Sequence, residues 1–202
     1  MNDSYKTIAE KSEGFFKDRG SKFFAYAYPV KTEEEIKEIL IQIKKEHHNA
    51  RHHCYAWRIG NEKPASRAND DGEPSSTAGK PILGQLLKFD LTNILLVVVR
   101  YFGGTLLGTG GLIHAYRSAA ADALNRARII TQTVQKYFRL KFTYQQMNVV
   151  MQVIKQENLK ISDSCFEQHC QLDMSVRKSK AARIEKLFKP IPGVELERIQ
   201  TN

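Results

Sequence analysis

Apolar residues recur with two different periods along the N-terminal half of the chain, and each period indicates one kind of element. Four apolar residues repeat at the spacing of one face of a helix: Ile36, Ile39, Leu40 and Ile43. Thr32 and Glu35 stand before them in the pattern of a capping box, which predicts where this helix begins. By contrast, the unbroken run "ILLVVV" at 94–99 has the length of a strand that is buried on both faces.

Further strands and helices complete this N-terminal part. Runs rich in aromatic and β-branched residues predict strands at 5–10, 22–30, 52–60 and 93–100. Pro81 predicts the first turn of a short helix, and the alanine-rich residues 113–127 predict a longer one. Three segments without a clear period are predicted as an irregular segment at 61–80, a glycine-rich turn at 101–112 and a polar connector at 129–135.

The last third of the sequence has its own order of elements. Apolar residues alternate over 138–144, which predicts a strand, and recur at helical spacing over 147–154. Two further strands are expected to pair around "FEQH" at 166–169, and a helix and the strand "VELERI" follow. This β-α-β-β-α-β order is typical of a ferredoxin-like split unit, so we predict two α+β domains, residues 1–134 and 135–202.

Composition places the chain among ordinary globular proteins, with 42% hydrophobic and 26% charged residues. No apolar run approaches the roughly 18 residues of a membrane-spanning helix, and the first residues lack the pattern of an export signal. The three cysteines are too few for a disulfide scaffold, so we expect a cytoplasmic protein without membrane association. A net charge of +9 attracts polyanions, among which nucleic acid is the commonest in the cytoplasm.

The segment "ANDDGEPSSTAGKP" at 68–81 combines acids, hydroxyls and one lysine without a period. It does not have the spacing of a nucleotide-binding P-loop, because six residues rather than four separate Gly72 from Gly79. A proline also follows Lys80, where a P-loop has the serine or threonine that binds magnesium. We therefore exclude that motif.

Three interpretations of this segment stay open. In the first, the hydroxyls at 75–77 and nearby backbone N–H groups bind an anion together with Lys80. In the second, Asp70 and Asp71 bond the loop to itself and cap the following helix. In the third, these two residues and Glu73 hold magnesium or act as acid or base, although adjacent side chains diverge on an extended segment.

A second candidate lies where the buried strand runs into a cluster of glycines and then into a helix. Free N–H groups at such a junction let a ligand approach the backbone, although glycines can equally serve tight turns and close packing. Arg100 and Tyr101 stand at the end of that strand, where they could clamp a phosphate and stack on a base.

Other clusters predict no further chemistry. The four histidines within 47–53 and the pair Cys165 and Cys170 lack the spacing of a zinc site, and no nucleophile elbow is present. We therefore predict no metal, no cofactor and no catalytic residue. Basic residues at 180, 183 and 186 line one flank of a predicted helix, which is either a solvated face or a minor phosphate contact.

Three long motifs, in this order and at fitting distances, make the sequence resemble the YigZ/IMPACT family: "HHCYAW" at 52–57, "DDGEPSSTAGKPIL" at 70–83 and "VVRYFGGTLLGTGGLIHAY" at 98–116. The resemblance implies an N-terminal domain like the second domain of a small-subunit ribosomal protein, a β-α-β sandwich. The same fold occurs in the ribonuclease P protein and in domain four of the elongation factor that drives translocation. For the C-terminal domain, the resemblance implies a ferredoxin-like fold similar to domain five of that factor.

Because both halves resemble modules that touch ribosomal or transfer RNA, the resemblance implies a role around translation. The eukaryotic members regulate the amino-acid starvation response by binding the activator of a kinase. Their RWD domain has no counterpart in this sequence, so we do not carry that role over. Ser76 also departs from the family, which usually has glycine there, and this speaks against a loop conformation that needs a positive φ.

The family's shared residues, carried onto this sequence, give one candidate binding site: His53, Asp70, Asp71, Glu73, Thr77, Lys80, Arg100, Tyr101, Gly104, Gly108 and Gly110. We predict a cytoplasmic RNA- or ribosome-associated protein with a role in regulation of translation. In it Lys80 and Arg100 bind phosphate, Tyr101 stacks, and the three glycines admit the ligand to the backbone. One alternative is an enzyme for a phosphorylated or nucleotide small molecule, with the acidic segment as metal or acid/base site and His53 assisting. Another is an adaptor that binds a protein partner.

Overall fold

The computed structural model describes residues 3–166 and 170–199. The chain divides into two compact units, of which the first is Tyr5–Gln132 and the second comprises the described residues from Thr133 onward together with Asp3 and Ser4. Both units mix helices with strands. Within the described ranges, no helix combines the length and the apolar composition that crossing a membrane requires. The domain bounds predicted from the sequence stay a prediction.

Seven strands lie within residues 3–133: β1 (Ser4–Ile8), β2 (Ser12–Asp18), β3 (Ser21–Pro29), β4 (His52–Ile59), β5 (Ala65–Asn69), β6 (Ile94–Tyr101) and β7 (Ile129–Thr133). Five of them form an antiparallel sheet in the order β2-β3-β6-β4-β5. The remaining two, β1 and β7, form a two-stranded sheet. β2–β3 and β4–β5 are neighbours in sequence as well as in the sheet, whereas β6, the last of the five in the chain, lies between β3 and β4.

Three helices cover the two faces of the five-stranded sheet: α1 (Glu33–Glu46), α2 (Gly79–Lys88) and α3 (Gly108–Arg126). The central strand β6 shows how the faces divide. Leu96 and Val98 belong to the apolar core that includes residues of α2 and α3. Leu95 and Val97 belong to the core that includes residues of α1. The prediction that this run is a strand buried on both faces is therefore confirmed.

The second unit contains β8 (Gln135–Phe142), a 3-10 turn (Tyr144–Gln146), α4 (Met147–Gln156), β9 (Lys160–Phe166), β10 (Cys170–Arg177), α5 (Lys178–Phe188) and β11 (Val194–Ile199). Its strands form an antiparallel sheet in the order β11-β8-β10-β9, and the inward residues of β8 and both helices share one apolar core. The predicted order of elements is confirmed for the described residues. The turn predicted at "FEQH" falls mostly on residues 167–169, which lie outside them.

The start of α1 is confirmed with one difference in its cap. Thr32 is the N-cap residue, and its hydroxyl accepts a hydrogen bond from the Glu35 N–H at 3.2 Å. The Glu35 carboxylate does not return the bond to the Thr32 N–H, as a capping box requires, but accepts from the Lys31 N–H at 2.6 Å. Acidic residues in the first turn and lysines in the last turn match the helix dipole.

Four predictions for the first unit are wrong, because strand pairing and packing, and not the local sequence, determine the secondary structure of these segments. β2 was not predicted, and it pairs along its whole length with β3. Part of the predicted irregular segment 61–80 is β5, which pairs with β4, and the predicted connector 129–135 contains β7. The glycine-rich turn ends earlier than predicted, since α3 already begins at Gly108.

Candidate functional site

Two loops of the first unit carry most of the candidate residues. The acidic loop, residues 70–78, connects β5 to α2, and the β6–α3 loop, residues 102–107, connects β6 to α3. Both adjoin the N-terminus of a helix, where backbone N–H groups lack partners inside the helix. The two loops differ in how those groups are satisfied, and that difference decides which residues are available for a ligand.

Asp70 holds the start of α2. Its Oδ1 accepts hydrogen bonds from the backbone N–H groups of Ala78 at 3.0 Å and Gly79 at 2.8 Å, and its Oδ2 accepts one from Ser76 at 2.9 Å. Burial acts to raise the pKa of Asp70, but these three N–H groups and the charge of Lys80 more than offset it, so the pKa lies below its usual range. The Asp70 carboxylate is therefore committed to capping a helix.

Asp71 ties the acidic loop to β4. Its Oδ2 accepts a hydrogen bond from the His53 N–H at 2.7 Å, and its carbonyl oxygen lies 2.9 Å from His52 Nδ1. Its Oδ1 lies 3.4 Å from Lys44 Nζ in a partly exposed ion pair. The carboxylates of Asp70 and Asp71 therefore have different partners, as expected for adjacent side chains, and they do not share one site.

Glu73 and Arg100 form a buried ion pair, with side-chain exposures of 3% and 7%. The Oε1 of Glu73 accepts hydrogen bonds from Arg100 Nη1 at 2.6 Å and from the Tyr116 hydroxyl at 2.7 Å. The Cys54 thiol donates to that hydroxyl at 3.3 Å. Burial raises the pKa of both the Cys54 thiol and the Tyr116 hydroxyl, so both stay protonated near neutral pH.

Thr77 and Ser76 shape the acidic loop from within. The buried Thr77 hydroxyl donates a hydrogen bond to the Pro74 carbonyl at 2.6 Å. Ser76 has a φ of 65°, in the left-handed region, so the expectation that a serine here speaks against a positive φ is wrong. The hydrogen bond from its N–H to Asp70 holds the residue in that conformation.

Tyr101 and His53 both lie near the C-terminal end of α1. The Tyr101 hydroxyl is 2.9 Å from His47 Nδ1, and the Tyr26 hydroxyl is 2.9 Å from His47 Nε2. Burial lowers the pKa of His47, and the neighbouring His53 lowers it further. The ring of Tyr101 meets Phe24 edge-on at 5.9 Å. The stacking role of Tyr101 stays a prediction.

Lys80 lies in a groove between α2 and α3 with a volume of about 730 Å³. We call it the basic groove, because the charged residues that line it are the exposed side chains of Lys80, Lys88 and Arg117. No aspartate or glutamate is among the described residues that line it. Lys80 and Lys88 are two turns apart on α2 and so share one side of the helix.

Arg100 lies in a different cavity, which we call the α3 cavity. It has a volume of about 430 Å³, and Glu73 and Gly108 line it as well. The predicted site residues are thus divided, because Lys80 belongs to the basic groove and Arg100 to the α3 cavity. Gly104 and Gly108 have positive φ values of 88° and 70°, and Gly110 lies in the first turn of α3.

Two residues of the basic groove were missed from the sequence. Lys88 could have been found from its spacing to Lys80 on the predicted helix, but Arg117 could not, because nothing local shows that α3 packs beside α2. Within the described part of the chain, no group of three or more His, Cys, Asp or Glu side chains is arranged to hold a metal ion.

The fold and these sites define a two-unit protein of mixed α/β structure with a basic groove on its larger unit. The family model described as the Impact N-terminal domain matches residues 19–124, and the chain belongs to the IMPACT family. It is 34% identical to the IMPACT family member YvyE of Bacillus subtilis, over 87% of this chain and 81% of that protein. It is 36% identical to the IMPACT family member YigZ of Escherichia coli, over 74% of each chain. Among solved structures, a crystal structure of a hypothetical protein matches with 31% identity, a TM-score of 0.74 and full coverage of both chains.

Proposed function

We propose that this protein binds RNA or the ribosome in the cytoplasm and takes part in regulation of translation. The observation that carries the proposal is the basic groove, in which Lys80, Lys88 and Arg117 face one open volume of about 730 Å³. Cations gathered on one surface bind a phosphate backbone by releasing its counterions. The net charge of +9 adds a long-range attraction to the same class of partner.

Gly84 supports a close approach of the partner to α2. It lies exposed in the middle of that helix and lines the basic groove between the two lysines. A glycine inside a helix costs about 1 kcal/mol relative to alanine, and a Cβ added at Gly84 would meet no atom within 4 Å. Packing inside the protein therefore does not require this glycine, whereas a backbone or phosphate that enters the basic groove gains room from it.

The finer parts of the proposal come from the family resemblance. We propose that the first unit is like the second domain of a small-subunit ribosomal protein and that the second unit is ferredoxin-like and similar to domain five of the translocation factor. The β-α-β-β-α-β order and the strand order β11-β8-β10-β9 support the second likeness. Both likenesses favour a partner that contains ribosomal or transfer RNA.

Filter binding with rRNA and tRNA fragments over a series of salt concentrations tests the proposal. The double variant Lys88→Ala/Arg117→Ala removes two phosphate contacts, so we expect about tenfold weaker binding at low salt and a salt slope reduced by about 2. The matched control is Lys37→Ala/Lys45→Ala, which removes the same charge from exposed positions of α1. We expect the control to bind much like the wild type.

Two outcomes would contradict the proposal. Equal weakening by the two double variants would assign the effect to total charge rather than to the basic groove. Absence of RNA binding at low salt, together with absence of salt-dependent co-sedimentation with ribosomes, would exclude the proposed partner. Capture of one protein after nuclease treatment would then favour the alternative function, an adaptor that binds a protein partner.

We do not extend the proposal to an enzyme, because the carboxylates of Asp70 and Glu73 in the acidic loop already bind other groups of the protein. Asp70 accepts three backbone hydrogen bonds, and Glu73 neutralises Arg100. A general base or a magnesium ligand needs lone pairs that face a substrate or an ion.

A further inference from the structure

The α3 cavity has no role in the function proposed above, and its volume is that of a small-molecule site. The end of β6, the β6–α3 loop, the first turns of α3 and part of the acidic loop contribute its walls. Its volume of about 430 Å³ lies in the range of roughly 300–1,000 Å³ that is usual for pockets that bind small molecules.

One side of the α3 cavity is apolar. Phe102, Leu106 and Leu112 line it, and the first two are among the exposed large apolar side chains, at 54% and 81%. Removing apolar surface from water is favourable. A ligand that covers Phe102 and Leu106 therefore gains affinity from the apolar part of its own surface.

The other side of the α3 cavity presents hydrogen-bond donors. The N-cap residue of α3 is Leu107, which provides no side-chain cap, so the first N–H groups of the helix have no partner within it. Arg100, which is 7% exposed, also lines the cavity. Its Nε is a buried side-chain donor that the described residues leave without a hydrogen-bond partner. An uncapped helix N-terminus, beside a guanidinium that keeps one N–H unpaired, favours an acceptor that carries negative charge.

The charges around the α3 cavity agree with an anionic ligand. Arg51 lines it and adds a positive charge. Glu73 is the acidic residue among its described lining residues, and Glu73 is already neutralised by Arg100 at 2.6 Å. An entering anion therefore meets one unbalanced cation and the positive end of a helix dipole.

We propose that the α3 cavity binds a small molecule that joins an anionic group, a phosphate or a carboxylate, to an aromatic or aliphatic group. The anionic group accepts hydrogen bonds from the first turn of α3 and from Arg100, and the apolar group packs on Phe102 and Leu106. This inference is independent of RNA binding, since Lys88 and Arg117 lie in the basic groove and not in this cavity.

Calorimetric titration of the full chain with four probes tests the inference. Phenyl phosphate and benzoate carry both groups, inorganic phosphate carries only the anion, and benzyl alcohol carries the ring without charge. We expect at least one of the first two probes to bind about tenfold more tightly than the last two, and the comparison of phenyl phosphate with benzoate identifies the anionic group. The proposal would be overturned if benzyl alcohol bound as tightly as phenyl phosphate and benzoate, or if neither phenyl phosphate nor benzoate bound.

A pair of charge variants locates the binding. Thr109 is exposed in the first turn of α3 and lines the cavity, so Thr109→Asp suits the helix N-terminus but repels an anion. We expect it to weaken binding of the better anionic probe about tenfold. The control Thr105→Asp places the same charge on the exposed β6–α3 loop outside the lining residues, and should leave binding unchanged. Equal weakening by Thr109→Asp and Thr105→Asp would place the ligand outside the α3 cavity. The double variant Lys88→Ala/Arg117→Ala, which changes the basic groove, should leave binding of the same probe unchanged.

Discussion

The acidic loop and the basic groove are neighbours that use their charges in opposite ways. Ser76 belongs to the acidic loop and also lines the basic groove. In the acidic loop, Asp70 and Glu73 are held by backbone N–H groups and by a buried guanidinium. In the basic groove, exposed cations face solvent, and none of the described lining residues is acidic.

The most conspicuous residues of a sequence therefore need not be the ones that meet a ligand. The motif around "DDGEPSST" attracts attention because it concentrates acids and hydroxyls. Asp70 and Thr77 of this motif hydrogen-bond to backbone groups of the connection between β5 and α2. Lys88 and Arg117 are inconspicuous in the sequence, and their side chains remain available. Each of the following variants tests whether the acidic loop is structural in this sense.

The largest effect is expected from Glu73→Ala. This change leaves the Arg100 guanidinium buried without a counter-charge and deprives the Tyr116 hydroxyl of its acceptor, so the free energy of unfolding should fall by about 3–5 kcal/mol. Urea denaturation measures the change. The matched control is Glu13→Ala, since Glu13 pairs with Lys11 at 2.7 Å on the surface, and its loss should cost less than about 1 kcal/mol. Similar costs for the two would contradict a structural role of the buried pair.

A smaller effect is expected from Asp70→Ala, which removes the acceptor for three N–H groups at the start of α2. We expect a loss of about 2 kcal/mol in the free energy of unfolding at neutral pH.

Asp71→Ala removes one backbone hydrogen bond and an exposed ion pair, and should lower the free energy of unfolding by about 1 kcal/mol.

The contribution of Asp70 should also depend on pH. Its pKa in the folded protein is below the usual value, so its stabilisation is fully present above the unfolded pKa of about 3.9 and is lost as the pH falls through the lowered folded value. Urea denaturation from neutral pH to about pH 3 should therefore show the wild type and Asp70→Ala converging on acidification. A difference that grows on acidification would contradict the capping role.

Local sequence explains which parts of the fold could be predicted. α1 carries its helical period and its N-cap within its own sequence, β6 carries an unbroken apolar run, and both were predicted from these local patterns. β5 carries no such pattern, because its residues are exposed or half-buried and its place is set by pairing with β4. The ion pair of Glu73 with Arg100 joins residues 27 apart, so neither partner could be assigned from its neighbours. The basic groove depends in the same way on the packing of α2 beside α3.

The smallest effect is expected at Ser76, where the acidic loop meets the basic groove. Its φ of 65° costs a serine roughly 1 kcal/mol. A glycine adopts this conformation without strain, but it loses more backbone entropy on folding. Because the relief of strain outweighs the loss of entropy, Ser76→Gly should raise the free energy of unfolding by about 0.5 kcal/mol. The N–H that Asp70 accepts is retained, so the cap of α2 is unchanged. Ser75 does not have a positive φ, so Ser75→Gly should lower the free energy of unfolding by a similar amount. Thermal denaturation of the two variants should give shifts of opposite sign, and shifts of the same sign would show that backbone strain is not stored at Ser76.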